Sequence, residues 1–369
     1  MEQQKKKIAI LTGGGDAPGL NSVIYTIVKT AILKYDFEVI GYKFGYRGLY
    51  TNDYMELNLE NTSGLLHVGG TILFSSNKDN LFDYTVEENG QKVKKDVSDV
   101  AVENLKKDGV DALIILGGDG TLTSARDFSR KGVKVVGVPK TIDNDLRATD
   151  ATFGFNTAID IVVENLGRIH TTARSHHRVF VVEVMGRTAG WIAIASGIAG
   201  SADVILIPEI PYTIENIVKK IKQRDEEGKV FTIIVVCEGA KEFGGEAVVN
   251  KVVEDSPEPI RLGGIGAKLA HQLEQVIDNH EVRSVSLGHI QRGGEPSAYD
   301  RLLSVRYGVA AVDLVADNNY GQMVCIKKGQ ISHHSLENVI GGTKNVDPDG
   351  EYVNAARSLG ISFGDGVEY

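Results

Sequence analysis

At 369 residues, with 42% hydrophobic and 24% charged residues, the chain can bury the cores of two ordinary domains, which excludes an intrinsically disordered protein. Its formal net charge of -9 provides no field to draw in nucleic acid or an anionic membrane, so any phosphate must be gripped locally by a few Arg and Lys and by backbone N–H groups. The lysine-rich start is followed by about five apolar residues before a glycine run, too few for a secretory signal or a membrane span. A cytoplasmic location is therefore expected.

In chain order, short β-branched runs at Ile8–Leu11, Val39–Tyr42, Ala112–Leu116, Val133–Val138, Val179–Val184, Val204–Ile207, Thr232–Val236 and Val282–Leu287 read as strands. Helical apolar spacing falls between most of them, at Asn21–Leu33, Val100–Lys107, Ala158–Ile169, Ile214–Asp225 and Ile265–Ile277. Strands that are continuously apolar and separated by helices indicate parallel sheets covered on both faces, hence an α/β protein of two doubly wound units. Phe74–Lys95 is polar and poorly periodic, and reads as a surface excursion beside a ligand site. Cys237 and Cys325 each lie in an apolar run and read as core residues in a reducing compartment.

Ligands of open α/β sheets gather at the carboxyl ends of the strands. After the first strand, TGGGDAPGLN offers Gly13, Gly14 and Gly15, which admit a phosphate close to the backbone or simply make a tight turn. After the third, LGGDGTL offers Asp119 to a metal and Gly118, Gly120 and Thr121 to phosphates, the alternative being a plain helix cap. After the fourth, VGVPKTIDNDL sets Asp143 and Asp145 around Asn144, with Lys140 upstream. One carboxylate can take a proton from a hydroxyl while the other positions metal or substrate; the competing reading is a solvated Asx turn. Arg178, Arg187, Arg283, His289 and Arg292 stand at strand ends or in glycine-bounded turns. Singly each reads as a salt-bridge partner, and together they read as a sugar-phosphate or nucleotide pocket.

GGGDAPGLN, GGDGT, PKTIDND, SHHRVFVVEVMGR and LGHIQRGG follow one another in the order of the 6-phosphofructokinases, and the sequence resembles that family from about Ile8 to beyond Asp313. The resemblance implies an ATP/Mg2+-binding domain of residues 1–153 and 291–337, and a fructose 6-phosphate-binding domain of residues 154–290 and 338–369, with the active site in the cleft between them. It implies transfer of phosphate to the 1-hydroxyl of fructose 6-phosphate, and a homo-oligomer, dimer or tetramer, that shares its sites between subunits. Asp143 would be the general base and Asp119 the metal-linked acid, with Thr141 and Asp145 beside them. Met185, Gly186, Arg187, Glu238, His289 and Arg292 would hold the sugar phosphate together with Arg178 and Arg283 of a neighbouring subunit. Gly14, Gly15, Asn77, Lys78, Gly118, Gly120, Thr121 and Lys140 would line the donor site.

Asn77 stands where many bacterial members carry arginine, with Lys78 as the nearest substitute. Tyr25, Lys29, His170 and Val230 occupy the places of the bacterial effector site, which implies loss of that regulation. Gly120 matches users of ATP and Lys140 matches users of pyrophosphate. Steric exclusion by an aspartate at position 120 would outweigh an added cation, so ATP is the expected donor. GGDGT alone also resembles the NAD and diacylglycerol kinases, but PKTIDND and LGHIQRGG do not.

Overall fold

A strand that is apolar along its whole length needs cover on both faces, and the chain provides it for two separate sheets. A computed structural model describes residues 5–88, 90–253 and 259–367. Along them run β1 (Lys7–Thr12), β2 (Glu38–Tyr42), β3 (Tyr54–Leu57), β4 (Tyr84–Glu88), β5 (Gln91–Lys95), β6 (Ala112–Gly117), β7 (Val135–Pro139), β8 (Val179–Val184), β9 (Val204–Leu206), β10 (Thr232–Cys237), β11 (Val249–Val252), β12 (Ile260–Leu262), β13 (Val282–Ser286), β14 (Gln322–Lys327) and β15 (Gln330–Ser335).

The larger sheet has the order β15-β14-β7-β6-β1-β2-β3. Its inner strands are parallel, and the edge strands β3 and β15 run antiparallel to their neighbours. Ile8 and Ile10 of β1 pack with Leu20, Ile24 and Ile27 of the helix Leu20–Tyr35 and with Tyr307 and Ala311 of the helix Ala298–Ala316. Ala9 and Leu11 belong to the core of the other face, with Leu105, Ala125 and Phe128. Each buried Ile or Leu contributes roughly 1.5–3 kcal/mol, so the missing polar alternation is what a doubly covered strand requires. The smaller sheet, β13-β8-β10-β9, is parallel throughout. From β8, Phe180, Val182 and Val184 point into one core, with Val162, Leu166 and Ile194, and Val179 and Val181 into the other, with Ile217, Ile221 and Leu269.

Several boundaries differ from the sequence reading. The helix expected at Ala158–Ile169 runs over Phe155–His176, from Gly154 (φ 96°) to His177 (φ 51°), because apolar spacing marks only the buried middle of a helix whose last turns are polar. The helix expected at Ile265–Ile277 ends at Glu274. Val133 lies before β7, where its N–H closes the preceding helix on Phe128 O at 3.1 Å, and Ile207 leaves β9 to bridge with Ile210. The polar excursion Phe74–Lys95 contains the antiparallel pair β4/β5, of which β5 is exposed along its length while Tyr84 of β4 packs on the core. Cys237 and Cys325 are buried free thiols in different sheets. No helix among the described residues is long and apolar enough to cross a membrane.

Candidate active site

Parallel strands bring their carboxyl ends level. Thr12 of β1 stands beside Leu116 of β6, and Gly117 of β6 beside Pro139 of β7. The loops that follow are then tied edge to edge: Gly13 N–H donates to Leu116 O and Lys140 N–H to Gly117 O, both at 2.9 Å. Gly14 N–H donates to Ser76 O at 2.9 Å, which brings the exposed Asn77 and Lys78 to the same rim. Asp119, Gly120 and Thr121 open the helix Asp119–Arg130, whose N-terminus attracts negative charge.

The glycines have more specific reasons than phosphate approach alone. A Cβ at Gly13 would stand 2.6 Å from Thr121 Cγ2, and one at Gly117 would stand 2.3 Å from Thr121 Cβ, so both are spaces that Thr121 fills. Gly14 has φ 80°, a left-handed turn that side chains resist. A Cβ at Gly15 would meet Arg292 Nη1 at 2.8 Å.

The second rim is formed by the carboxyl ends of β8, β10 and β13, which carry Met185, Gly186 and Arg187, then Glu238, then His289 and Arg292. Arg187 N–H donates to Glu238 Oε1 at 3.1 Å. Gln291, with 0% exposure, accepts from Met185 N at 3.3 Å and donates to Gly288 O at 3.0 Å. This residue escaped the sequence reading although it stands between His289 and Arg292 in LGHIQRGG; a buried amide that locks two loops together carries no charge signal. Arg292 crosses to the first rim and donates from Nη1 to Asp16 O at 3.0 Å.

Asp143 lies between the rims. Thr141 Oγ1 accepts from its N–H at 3.1 Å and donates weakly to its Oδ2 at 3.4 Å, while Asp143 Oδ1 is buried with no hydrogen-bond partner among the described residues. Burial pushes its pKa up, against the pull of Arg292, Lys140 and Arg187. Burial and then Asp143 push Asp145 up to about 7 and Glu238 likewise to about 7. Lys140, 3% exposed, donates from Nζ to Gly15 O, and burial followed by Arg292 pulls it down to about 8. The arrangement is a buried carboxylate with one oxygen unpartnered among the described residues and three cations near enough to favour its charge.

Arg178 and Arg283 are not brought into this cleft. They stand at the amino ends of β8 and β13, where Val179 pairs with Val282, roughly 15–20 Å along the strands from the second rim. Both guanidinium groups are paired with Glu281.

A family profile described as phosphofructokinase matches residues 7–315. The chain belongs to that family. It is 70% identical over 366 residues, 99% of this chain and 100% of the relative, to "ATP-dependent 6-phosphofructokinase 2" of Clostridium perfringens (strain 13 / Type A). It is 44% identical over 344 residues, 93% of this chain and 97% of the relative, to "Pyrophosphate--fructose 6-phosphate 1-phosphotransferase" of Amycolatopsis methanolica. Among solved structures, the Pichia pastoris phosphofructokinase in the T-state superposes with a TM-score of 0.76 at 33% identity, covering 91% of this chain and 35% of that one.

The family's Mg2+ fits the residues present. Among the described residues no group of three or more His, Cys, Asp or Glu forms a protein-only cage, and Mg2+ needs none when it is shared between one or two carboxylates and a polyphosphate. Asp119 and Asp143 both lie close enough to Asp145 to raise its pKa, as expected of carboxylates gathered where a cation would offset them. Asp119 Oδ1 accepts from Gly341 N–H at 3.3 Å.

The shifts also fix a stability profile for the unliganded chain. An acid whose folded pKa is raised holds its proton longer in the fold, so its contribution is full below about pH 4 and is lost as pH rises through about 7. Asp145→Asn removes the buried charge and is expected to raise the melting temperature, with a gain that grows from pH 5 to pH 8. Melting curves at both pH values check this; a gain independent of pH would show that Asp145 titrates normally.

Proposed function

We propose that the chain transfers the γ-phosphoryl group of Mg2+-ATP to the 1-hydroxyl of fructose 6-phosphate, giving fructose 1,6-bisphosphate in glycolysis. The observation that carries this reading is Asp143 Oδ1, a buried carboxylate oxygen with no hydrogen-bond partner among the described residues, on a side chain whose charge is favoured by Arg292, Lys140 and Arg187 nearby. Asp143 takes the proton as the sugar O1 bonds to the γ-phosphorus; the bond to the β–γ bridging oxygen breaks, and ADP leaves with that electron pair. Lys140 and Arg292, each fixed on a carbonyl of the first glycine loop, supply positive charge where negative charge spreads in the transition state. Asp119, with Asp145 nearby, would hold Mg2+, which would supply charge neutralisation of the polyphosphate. Met185, Gly186, Arg187, Glu238 and His289 take the sugar phosphate, with Glu238 accepting from its hydroxyls. Thr141 orients Asp143, and Gly14, Gly15, Gly118, Gly120, Thr121, Asn77 and Lys78 line the path of the donor.

A coupled assay of the purified protein with fructose 6-phosphate, Mg2+ and either ATP or pyrophosphate tests the reading, with turnover expected on ATP. The pyrophosphate alternative rests on Lys140, whose buried ammonium suits a compact donor. Turnover with pyrophosphate and none with ATP would select it.

The same reading takes the larger sheet, with residues 1–153 and 291–337, as the donor domain, and the smaller, with 154–290 and 338–369, as the sugar domain. It places the enzyme in the cytoplasm as a dimer or tetramer. The position of Arg178 and Arg283 beyond reach of their own cleft supports sharing of sites between subunits. Arg178→Ala and Arg283→Ala are expected mainly to raise KM for fructose 6-phosphate. Mixing Arg178→Ala with Asp143→Asn chains should restore part of the activity through hybrid sites. Confirmed subunit exchange without recovered activity would sink the shared-site reading.

A further inference from the structure

The segment from Gly341 to Val346 lies beyond the stretch matched by the family profile, yet it ties the loops that follow β6 and β7 to those that follow β8 and β9. Gly341 N–H reaches Asp119 Oδ1, Thr343 bridges antiparallel to Leu146, and Lys344 N–H donates to Asp145 O at 2.7 Å. On the other rim, the indole N–H of Trp191 donates to Lys344 O at 2.6 Å and Val346 N–H donates to Glu209 Oε1 at 2.8 Å. The side chain of Lys344 completes the set. Its ammonium donates to Asn144 Oδ1 at 3.1 Å and to the carbonyls of Thr149 and Asp150 at 3.0 and 3.2 Å, which uses all three of its protons.

Asn144 is the residue between the two aspartates and has φ 52°. Asparagine tolerates that left-handed backbone better than most residues, and its Oδ1, which also accepts from Thr152 N–H at 3.1 Å, ties the turn to its surroundings. Burial pulls the Lys344 ammonium down to about 8, with Asp145 and Asp150 opposing, while its three oxygen acceptors suit the charged, three-proton form. We infer that Lys344 is a positioning residue for phosphoryl transfer: it pins the Asn144 turn from behind and thereby holds Asp143 and Asp145 at their working positions. The inference rests on the reading of Asp143 as the base.

Behind Lys344 opens a cavity of about 620 Å³, lined also by Arg147, Phe155, Trp191, Lys327 and Tyr352. It gives small amines a path to the place the ammonium would vacate. Lys344→Ala is expected to lower kcat about 10- to 100-fold, as small displacements of catalytic groups do, with KM for both substrates within about threefold. Ethylammonium should restore kcat several-fold in Lys344→Ala but not in Lys344→Met, whose side chain fills the hole. In an Asp143→Asn background the same substitution should cost less than about threefold, because a lost base no longer needs positioning. Trp191, the single tryptophan, reports by its fluorescence whether the segment is still seated. Lys344→Gln provides the same comparison if Lys344→Ala does not fold. Unchanged kcat, a parallel rise in KM, or equal losses in both backgrounds would overturn the inference. If Asp143→Asn alone keeps its kcat, the reading of the base fails instead, whatever Lys344 does.

Discussion

Asp143→Asn is expected to lower kcat for fructose 6-phosphate phosphorylation by at least about 10²-fold, while KM for the sugar stays within about threefold. Asparagine preserves the size of the side chain and the N–H contact to Thr141 Oγ1, so the loop should keep its shape. What is lost is the basic oxygen that has no hydrogen-bond partner among the described residues. The three cations that offset the carboxylate, Arg292, Lys140 and Arg187, then face the substrate phosphates without competition, which argues against weaker binding. Steady-state kinetics alongside a melting curve separates the two effects. A near-normal kcat in a folded variant would remove Asp143 from the mechanism.

Gly120→Asp is expected to lower kcat/KM for ATP by about 10²-fold or more, far beyond the loss from Lys140→Gly. Gly120 is exposed in the first turn of the helix Asp119–Arg130. An added aspartate is favourable for the helix itself there, so the loss would report on the nucleotide and not on folding. On the proposed reading its carboxylate would stand where the α-phosphate of ATP passes. Lys140→Gly removes a buried ammonium and its tie to Gly15 O, which should slow the use of either donor, pyrophosphate the more, without blocking ATP. Measuring kcat/KM for both donors in both variants decides the matter; a Gly120→Asp enzyme as active on ATP as its parent would show that donor choice lies elsewhere.

The part of the fold legible in the sequence is the part governed by local patterning. Continuous apolar runs gave the inner strands, and glycine with aspartate at their carboxyl ends gave the rims. The helix Ala298–Ala316 was invisible for a physical reason: Leu303, Tyr307, Ala311 and Val315 are buried, but so are Ser304, Gly308 and Asp300, so no polar stripe marks its period. Asp300 is tolerated there because Thr157 donates to it from N and Oγ1 at 2.7 and 2.6 Å, a partner that chain order does not disclose. Lys344 escaped for the same kind of reason. It acts on residues two hundred positions earlier, and a lone lysine in GGTKNVD looks like any solvated loop cation. Arg178 and Arg283 were legible as residues, but only the strand register shows that they stand at the far end of the sheet from His289 and Arg292.

The order of strands also sets a timetable for synthesis. β7 ends at Pro139, and its outer neighbour β14 begins at Gln322, so the whole smaller sheet must emerge from the ribosome before that seam can close. At bacterial to eukaryotic elongation rates of about 5–20 residues per second, the Val-Val-Gly-Val edge of β7 waits roughly 10–40 s with its backbone groups unpaired, the condition under which strands recruit wrong partners. The smaller sheet, drawn from one uninterrupted stretch, has no such delay. Newly made chains should therefore carry the strands of the smaller sheet paired inside an unfinished host, one face still awaiting Val353, Ala356 and Phe363, and chaperone demand should concentrate on the larger sheet until residue 335 has been added.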